Sequence, residues 1–146
     1  SISHDAADPV CYTIREGNTK VAVATDMGEY TDYTLSHLED CEGMLLEANH
    51  DINMLQAGSY PYQLKLRILG KEGHLSNDAC GRLLRRLVHY RLKHILLGHL
   101  SQENNYPELA YETVRYELAQ EELAAGEELF LGVAGRMAPT PPVFVN

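Results

Sequence analysis

The stretch that most constrains the fold is residues 20–28, KVAVATDMG, in which a short apolar run ends in an acid and a glycine. Residues 21–24 are small or β-branched, which is typical of a strand buried on both faces. Such a strand would bring Asp26 to its C-terminal end, where open α/β sheets form their binding sites. The alternative is that Asp26 only caps a helix that begins near residue 30. This stretch alone does not separate the two interpretations.

Four other stretches combine histidine with polar residues after an apolar run or in a glycine-marked loop. They are SHDA at 3–6, EANHD at 47–51, GHLSN at 73–77 and GHLSQENN at 98–105. Their recurrence favours a functional role for Asp26.

Hydrophobic periodicity and turn residues predict an α/β chain. The predicted strands are 10–15, 20–24, 43–46, 94–97 and 128–133, with the first two joined as a hairpin through GNTK. The predicted helices are 31–39, 51–57, 62–69, 77–91 and 107 to about 125, the last ending at Gly126. Alternating strands and helices indicate a layered sheet with flanking helices.

The charge distribution is uneven. The 146 residues carry 12 Lys and Arg against 21 Asp and Glu, a net charge of −9, which argues against a general nucleic-acid binder. Eight of the twelve cations nevertheless fall between residues 65 and 93, where only Glu72 and Asp78 oppose them. On the predicted helix 77–91, helical spacing groups four basic side chains: Arg82, Arg85, Arg86 and His89. This face is either a track for a nucleic-acid backbone or an ordinary solvated surface, and both interpretations stay open.

Cysteine usage and hydropathy bear on the compartment. Cys11, Cys41 and Cys80 are odd in number and widely spaced, which suits neither a disulfide framework nor a zinc finger. No apolar run approaches the roughly 18 residues of a membrane helix, and no signal peptide is evident. We therefore expect a cytoplasmic protein without a membrane partner. Because the chain begins in a motif-like stretch without an initiator Met, we expect residues 1–146 to be the C-terminal portion of a longer protein.

Three residues have the chemistry of a metal centre. A site that bridges two divalent cations about 3.5–4 Å apart uses imidazole nitrogens and a carboxylate whose two oxygens can each hold a metal. His4, Asp26 and His99 have suitable types and positions, although spacing alone does not prove that they converge. We interpret His37, His89 and His94 as structural or surface residues.

Five stretches together resemble a known superfamily: SHDAADPVCYTI, VAVATDMG, LLEANHDINML, GSYPYQLKLRILGKEGHLSN and LGHLSQENN. They cover nearly all of residues 1–110, and they are similar to the metallo-β-lactamase superfamily, most closely its YycJ-like (WalJ) hydrolase branch. The resemblance implies an αββα sandwich, of which this chain would form the C-terminal half, and a site for two divalent metal ions, Zn or Mn. It also implies that His4 binds one metal, Asp26 bridges both and His99 binds the other.

The resemblance extends to a second pair of residues. Glu47 and His74 are similar in order and setting to the glutamate and histidine with which ribonuclease Z and β-CASP nucleases help to protonate a phosphodiester leaving group. His50 is the alternative acid. The superfamily's HxHxDH motif does not occur in these 146 residues, so the resemblance implies that a further segment completes the metal site.

These observations predict a metal-dependent phosphodiesterase, an exonuclease-like nuclease acting on DNA or RNA, in which His74, Glu47 and Asp26 are the catalytic residues. One alternative is a hydrolase of small esters or thioesters on the same fold. Another is a non-catalytic fragment that binds a partner, its missing N-terminal half or a second copy of itself through an apolar face.

Overall fold

The computed structural model describes residues 1–89, 91–121 and 128–145. The strands are β1 (Tyr12–Glu16), β2 (Thr19–Ala24), β3 (Gly43–Glu47), β4 (His94–Gly98) and β5 (Phe130–Val133). The helices are α1 (Asp32–Leu38), α2 (Ile52–Ala57), α3 (Tyr62–Leu69), α4 (Asn77–Leu87) and α5 (Pro107–Leu118).

The strands form one mixed sheet in the order β1-β2-β3-β4-β5. β1 and β2 form the predicted antiparallel hairpin, whereas β2, β3, β4 and β5 are parallel neighbours. Helices connect the parallel strands, as parallel pairing requires. The predicted mixed sheet with flanking helices is confirmed, and it is compatible with half of an αββα sandwich.

The core lies on one face of the sheet. Ala22 and Ala24 of β2 point into it, and the central strands add Met44, Leu46, Ile95 and Leu97. The helices that cover this face contribute Leu35 and Leu38 from α1, Cys80, Leu83, Leu84 and Leu87 from α4, and Ala110, Val114 and Leu118 from α5. This single core fixes the strand ends relative to one another.

The opposite side, which we call the open sheet face, is apolar and largely exposed. Tyr12, Ile14, Val23 and Phe130 are 63%, 62%, 40% and 48% exposed. The prediction that β2 is buried on both faces is therefore wrong, because its side chains alternate between the helix-covered core and this face. The C-terminal tail reaches the open sheet face at Gly43, where an added Cβ would lie 2.8 Å from Cγ1 of Val145.

The cap of α1 and the C-terminal ends of α4 and α5 differ from the predictions. Thr31 caps α1 by accepting from the Thr34 N–H, so the interpretation of Asp26 as the cap is wrong. α4 ends at Leu87 instead of residue 91, and Arg91 instead pairs with Glu42. α5 ends at Leu118, well before residue 125, and the predicted stop at Gly126 lies outside the described residues.

Two compositional predictions can be compared with the structure. All three cysteines are free, as expected for a chain without a disulfide framework. Within the described ranges, no helix has the length and apolar character needed to cross a membrane.

Candidate metal centre

Three neighbouring strands end in ionisable residues at one edge of the sheet. Asp26 follows β2, Glu47 ends β3 and His99 follows β4. Because these strands are parallel and adjacent, their carboxyl ends lie side by side. Asp26 and His99 adopt left-handed backbone angles, with φ of 57° and 54°, which bend the chain sharply away from the strand direction. For residues other than glycine this conformation costs about 1 kcal/mol or more, and such strain concentrates at functional sites.

Two loops bring further histidines to the same edge. The Asp5 N–H donates to Glu72 O at 3.1 Å, which places the loop carrying His4 beside the loop carrying His74. His4 Nδ1 lies 2.9 Å from Gly73 O; since a carbonyl only accepts, Nδ1 carries the proton and donates. A side chain at Gly28 would overlap the carbonyl of Lys71. Glycine is therefore required where the turn after Asp26 approaches the loop that carries His74.

The side chains converge on two carboxylates. His74 Nδ1 and His99 Nδ1 lie 2.7 and 2.6 Å from the same oxygen, Oε1 of Glu47. Both nitrogens also lie 3.7 Å from Oδ1 of Asp26, and His4 Nε2 lies 3.8 Å from that oxygen. One ligand atom each from Asp26, Glu47, His74 and His99 fall within 4.8 Å of one another. We call these four residues together with His4 the histidine–carboxylate cluster.

Glu47 is the electrostatic centre of the cluster. Its side chain is fully buried, and burial acts to raise the pKa of the carboxyl group, but hydrogen bonds from His74, His99 and the Met27 N–H outweigh burial and leave this pKa below its ordinary value. The hydrogen bond to Glu47 raises the pKa of His99 against the opposing effect of burial. The cluster therefore holds a buried anion surrounded by donors.

The cluster opens into a cleft of about 570 Å³. Polar residues on its wall include Asp5, Asn49, Tyr60 and Gln102, and two arginines, Arg67 and Arg136, also line it. Arg67 pairs with Asp5, and Arg136 donates to the carbonyl of Leu100. The cleft thus combines possible metal ligands with two cations.

No protein-family model matches the chain. Curated relatives do match: the proteins named exodeoxyribonuclease WalJ from Streptococcus pneumoniae strains D39 and R6 are each 42% identical over 104 residues, and exodeoxyribonuclease YycJ from Bacillus anthracis is 36% identical over 104 residues. This chain is a homologue of the WalJ and YycJ proteins. The predicted resemblance to the YycJ/WalJ-like branch is confirmed.

The relatives are much longer than this chain. The 104 aligned residues are 71% of this chain but 39% of each of these WalJ and YycJ proteins. The chain therefore spans about two fifths of the length of the relatives it matches.

His50, the alternative acid, lies outside the cluster. Its side chain is only 1% exposed and points to Asn49, with Nδ1 3.3 Å from Asn49 Oδ1. Burial lowers the pKa of His50 to about 4. His74, by contrast, lines the cleft and contacts Glu47. The geometry favours His74 over His50 as a proton donor to a substrate.

Three of the four basic residues predicted to share one helix face lie close to acidic residues. Arg85 pairs with Glu117 and Glu121 of the chain around α5, at 3.4 and 2.8 Å. His89 also pairs with Glu121 at 2.8 Å, and Arg86 lies 3.9 Å from Asp32. Arg85 and Arg86 lie in the last turn of α4 and His89 lies just after it, whereas the cluster lies near the N-terminal cap of α4, about 14 Å away along the helix axis. For these three residues the interpretation as an ordinary surface is supported.

Sequence reasoning missed Arg136 and Asn49 as residues of the cleft. Arg136 follows β5, which is parallel to β4, so the strand-end argument that selected Asp26 also applies to it. For Asn49 the available signal was its position two residues after the end of β3. The histidines interpreted as structural lie elsewhere: His37 contacts Tyr33, His89 pairs with Glu121 and the His94 ring lies 6.3 Å from that of Phe130.

Proposed function

We propose that this chain contributes part of the active site of a divalent-metal-dependent phosphodiesterase that degrades DNA from its ends. The observation that carries the proposal is the convergence of Asp26, Glu47, His74 and His99 at the carboxyl edge of the sheet. The relatives named exodeoxyribonucleases support the choice of substrate class.

The donor set suits a metal such as Zn or Mn, because it combines imidazole nitrogens with carboxylate oxygens. Metal-binding histidines usually donate their second ring N–H to a carbonyl or carboxylate. His4 Nδ1 donates to Gly73 O, so His4 Nε2 keeps a free lone pair, and this nitrogen lies 3.8 Å from Oδ1 of Asp26. His99 donates to Glu47 in the same way. We propose that His4, Asp26 and His99 hold two divalent ions, together with a segment outside these residues.

When bound, the metals would act as Lewis acids that stabilise the negative charge that develops on the phosphate. Asp26 suits the bridging position because its carboxylate has two oxygens and is 44% exposed to the cleft. Glu47 is fully buried and acts on its neighbours instead of the substrate.

We propose that His74 protonates the leaving oxygen. The hydrogen bond between Nδ1 and Glu47 fixes the orientation of the ring and leaves Nε2 as the nitrogen from which a proton would pass to the leaving oxygen. His99 makes nearly the same contact with Glu47, and the resemblance to the family assigns His74 as the acid and His99 as the metal ligand.

Arg67 and Arg136 are the residues that we propose to contact the DNA backbone. Both line the cleft beside the cluster, and arginine forms strong hydrogen bonds to phosphate oxygens. Asp5 holds Arg67, so this cation is already oriented in the protein without DNA.

We further propose that residues 1–146 are the C-terminal portion of a metallo-β-lactamase-like domain. Its N-terminal portion would cover the open sheet face and complete the metal site. The exposed apolar side chains of that face and the greater length of the relatives support this arrangement. We expect the 146-residue chain alone to hydrolyse little substrate.

The test uses a longer protein that joins this chain to the proposed N-terminal portion. It is incubated with Mn²⁺ or Zn²⁺ and end-labelled single-stranded DNA, double-stranded DNA or RNA of one sequence, and in parallel with an aryl carboxylic ester and a thioester. We expect stepwise shortening of DNA from an end, abolished by a chelator and by Asp26→Ala. Hydrolysis of the small esters without cleavage of DNA would support the ester hydrolase instead.

Asp40→Ala is the matched control. Asp40 is also an aspartate with a left-handed backbone, at φ 62°, but it is exposed and lies between α1 and β3, away from the cleft. Its substitution should leave DNA cleavage unchanged. Absence of every activity in a folded, metal-loaded protein would support a non-catalytic binding role.

A further inference from the structure

Residues 48–51, which we call the connecting segment, form hydrogen bonds both to the loop that carries His74 and to the loop that carries His99. The Asn49 N–H donates to Leu75 O at 2.9 Å, next to His74, and the Asn49 carbonyl accepts from the Ser101 N–H at 2.6 Å, near His99. The neighbouring residues repeat the pattern: Ala48 N–H donates to Gly98 O, Asn77 N–H to His50 O and Asp51 N–H to Asn104 O. The connecting segment therefore sets the spacing between the loops.

Side chains extend this connection to His99 itself. Asn49 Nδ2 donates to the His99 carbonyl at 2.9 Å, and Asn49 Oδ1 lies 3.3 Å from His50 Nδ1. The acceptor carbonyl belongs to His99, whose backbone is in the left-handed region with φ of 54°. The buried His50 is thus connected through the Asn49 amide to His99, one of the two strained residues of the cluster.

Hydrogen-bond chemistry determines the proton positions in this chain of contacts. A backbone carbonyl only accepts, so Asn49 must present its NH₂ group to His99 and its oxygen to His50. That oxygen also only accepts, so His50 must donate from Nδ1. Neutral His50 then has no proton on Nε2, a buried atom without a hydrogen-bond partner among the described residues. Burial lowers the pKa of His50 to about 4, in keeping with a neutral ring at neutral pH.

We infer that His50 and Asn49 are positioning residues for the cluster: His50 fixes the orientation of the Asn49 amide, and Asn49 holds His99 in the left-handed conformation that directs its imidazole to Glu47. The left-handed backbone is unfavourable for histidine, and the hydrogen bond from Asn49 Nδ2 to the His99 carbonyl opposes relaxation of the loop to a more favourable conformation. A flipped amide would present its oxygen to the His99 carbonyl and its NH₂ group to the donor of His50, so both contacts would be repulsive. The role of His50 is therefore to add to the preference for the observed orientation.

The first test needs no variant. Two-dimensional ¹H–¹⁵N correlation of the imidazole rings in the 146-residue chain at pH 7 distinguishes a proton on Nδ1 from one on Nε2. We expect His50 to carry its proton on Nδ1. A proton on Nε2 would overturn the inference, because Asn49 would then have to turn its oxygen away from His50.

The second test measures amide hydrogen exchange of Ser101, with Ile95, a fully buried residue of β4, as the reference for global unfolding. Asn49→Asp keeps the shape but removes the donor, and His50→Leu removes the donor to Asn49. Each should accelerate exchange of Ser101 relative to Ile95 about tenfold, the effect of losing one hydrogen bond. His50→Asn, whose amide can donate from near the Nδ1 position, should restore most of the protection.

The double variant separates positioning from simple space filling. If His50 acts through Asn49, then His50→Leu should add little to the exchange rate of Ser101 once Asn49→Asp is present. Effects that multiply in the double variant, or equal acceleration of Ser101 and Ile95, would show that His50 only supports the core. Neither measurement needs metal or DNA, so its outcome does not depend on the proposed function.

Discussion

Asp26 and His99 face each other across the edge of the sheet, with Oδ1 of the aspartate 3.7 Å from Nδ1 of the histidine, and both residues adopt left-handed backbone angles. Neither is a glycine, so each adopts this conformation at a cost in stability. The surrounding hydrogen bonds and the buried strands hold both residues in place. Backbone strain and ionisable side chains therefore coincide at these two positions, so mutation can separate the stability of the protein from its function.

Asp26→Gly and Asp26→Ala should differ in stability but not in metal binding. Glycine relieves the left-handed strain that alanine retains, so the free energy of unfolding in urea should be about 1 kcal/mol higher for the glycine variant. Metal affinity, measured by chelator competition in the longer protein, should fall equally in both. The same pair at Asp40 should show the stability difference without any change in metal affinity. Retention of metal by Asp26→Gly would contradict the bridging role.

His74→Ala and His99→Ala should have different effects although their contacts with Glu47 are alike. If His74 donates a proton, its removal should spare metal and slow turnover by about 10² to 10⁴, less for substrates with a good leaving group. Removal of His99 should reduce metal content as well as turnover. Metal analysis and kinetics on a poor and an activated phosphodiester measure both, with His37→Ala as the control. Loss of metal from His74→Ala would instead make His74 a ligand.

The open sheet face should make the isolated chain associate. Tyr12, Ile14 and Phe130 expose apolar surface on it, and patches of this kind are usually covered by a partner. Light scattering at increasing concentration should show dimers or larger species, and an apolar dye should bind. Tyr12→Lys with Ile14→Lys should reduce both effects, whereas Tyr116→Lys, on the exposed surface of α5, should not. A monomer that binds no dye at high concentration would contradict the proposed arrangement of the domain.

Stability should decline on acidification because of His50. Its pKa is lowered to about 4 in the folded protein, against 6.5 as the ordinary value, so between these pH values the unfolded chain binds the extra proton. The stabilisation is fully present above pH 6.5 and is lost as the pH falls towards 4. At 1.36 kcal/mol for each pH unit, the loss is at most about 3 kcal/mol. Urea unfolding from pH 7 to pH 4 should therefore show a steeper decline for the unmodified chain than for His50→Leu, and equal slopes would disprove this contribution.

Local sequence accounts for much of the architecture. Asp26 could be placed at a strand end because a β-branched run stops just before it, and the strand-end positions of Glu47 and His99 follow from the same signal. The predicted α3 has the observed bounds, because GSYP and Gly70 punctuate both ends. The bounds of α4 and α5 were less predictable, since tertiary contacts such as the Arg91–Glu42 pair decide where the chain leaves the helix.

The order of the elements and the residues that end the parallel strands follow from the amino-acid sequence, because periodicity and turn chemistry act over a few residues. The packing of the whole fold sets three other features: His74 and His99 share one oxygen of Glu47, His50 turns away to Asn49, and acids near α5 neutralise the basic end of α4. Each of these contacts joins residues far apart in the chain or depends on a side-chain direction. Such contacts are selected by how helices and loops pack around the whole core, which no local pattern specifies.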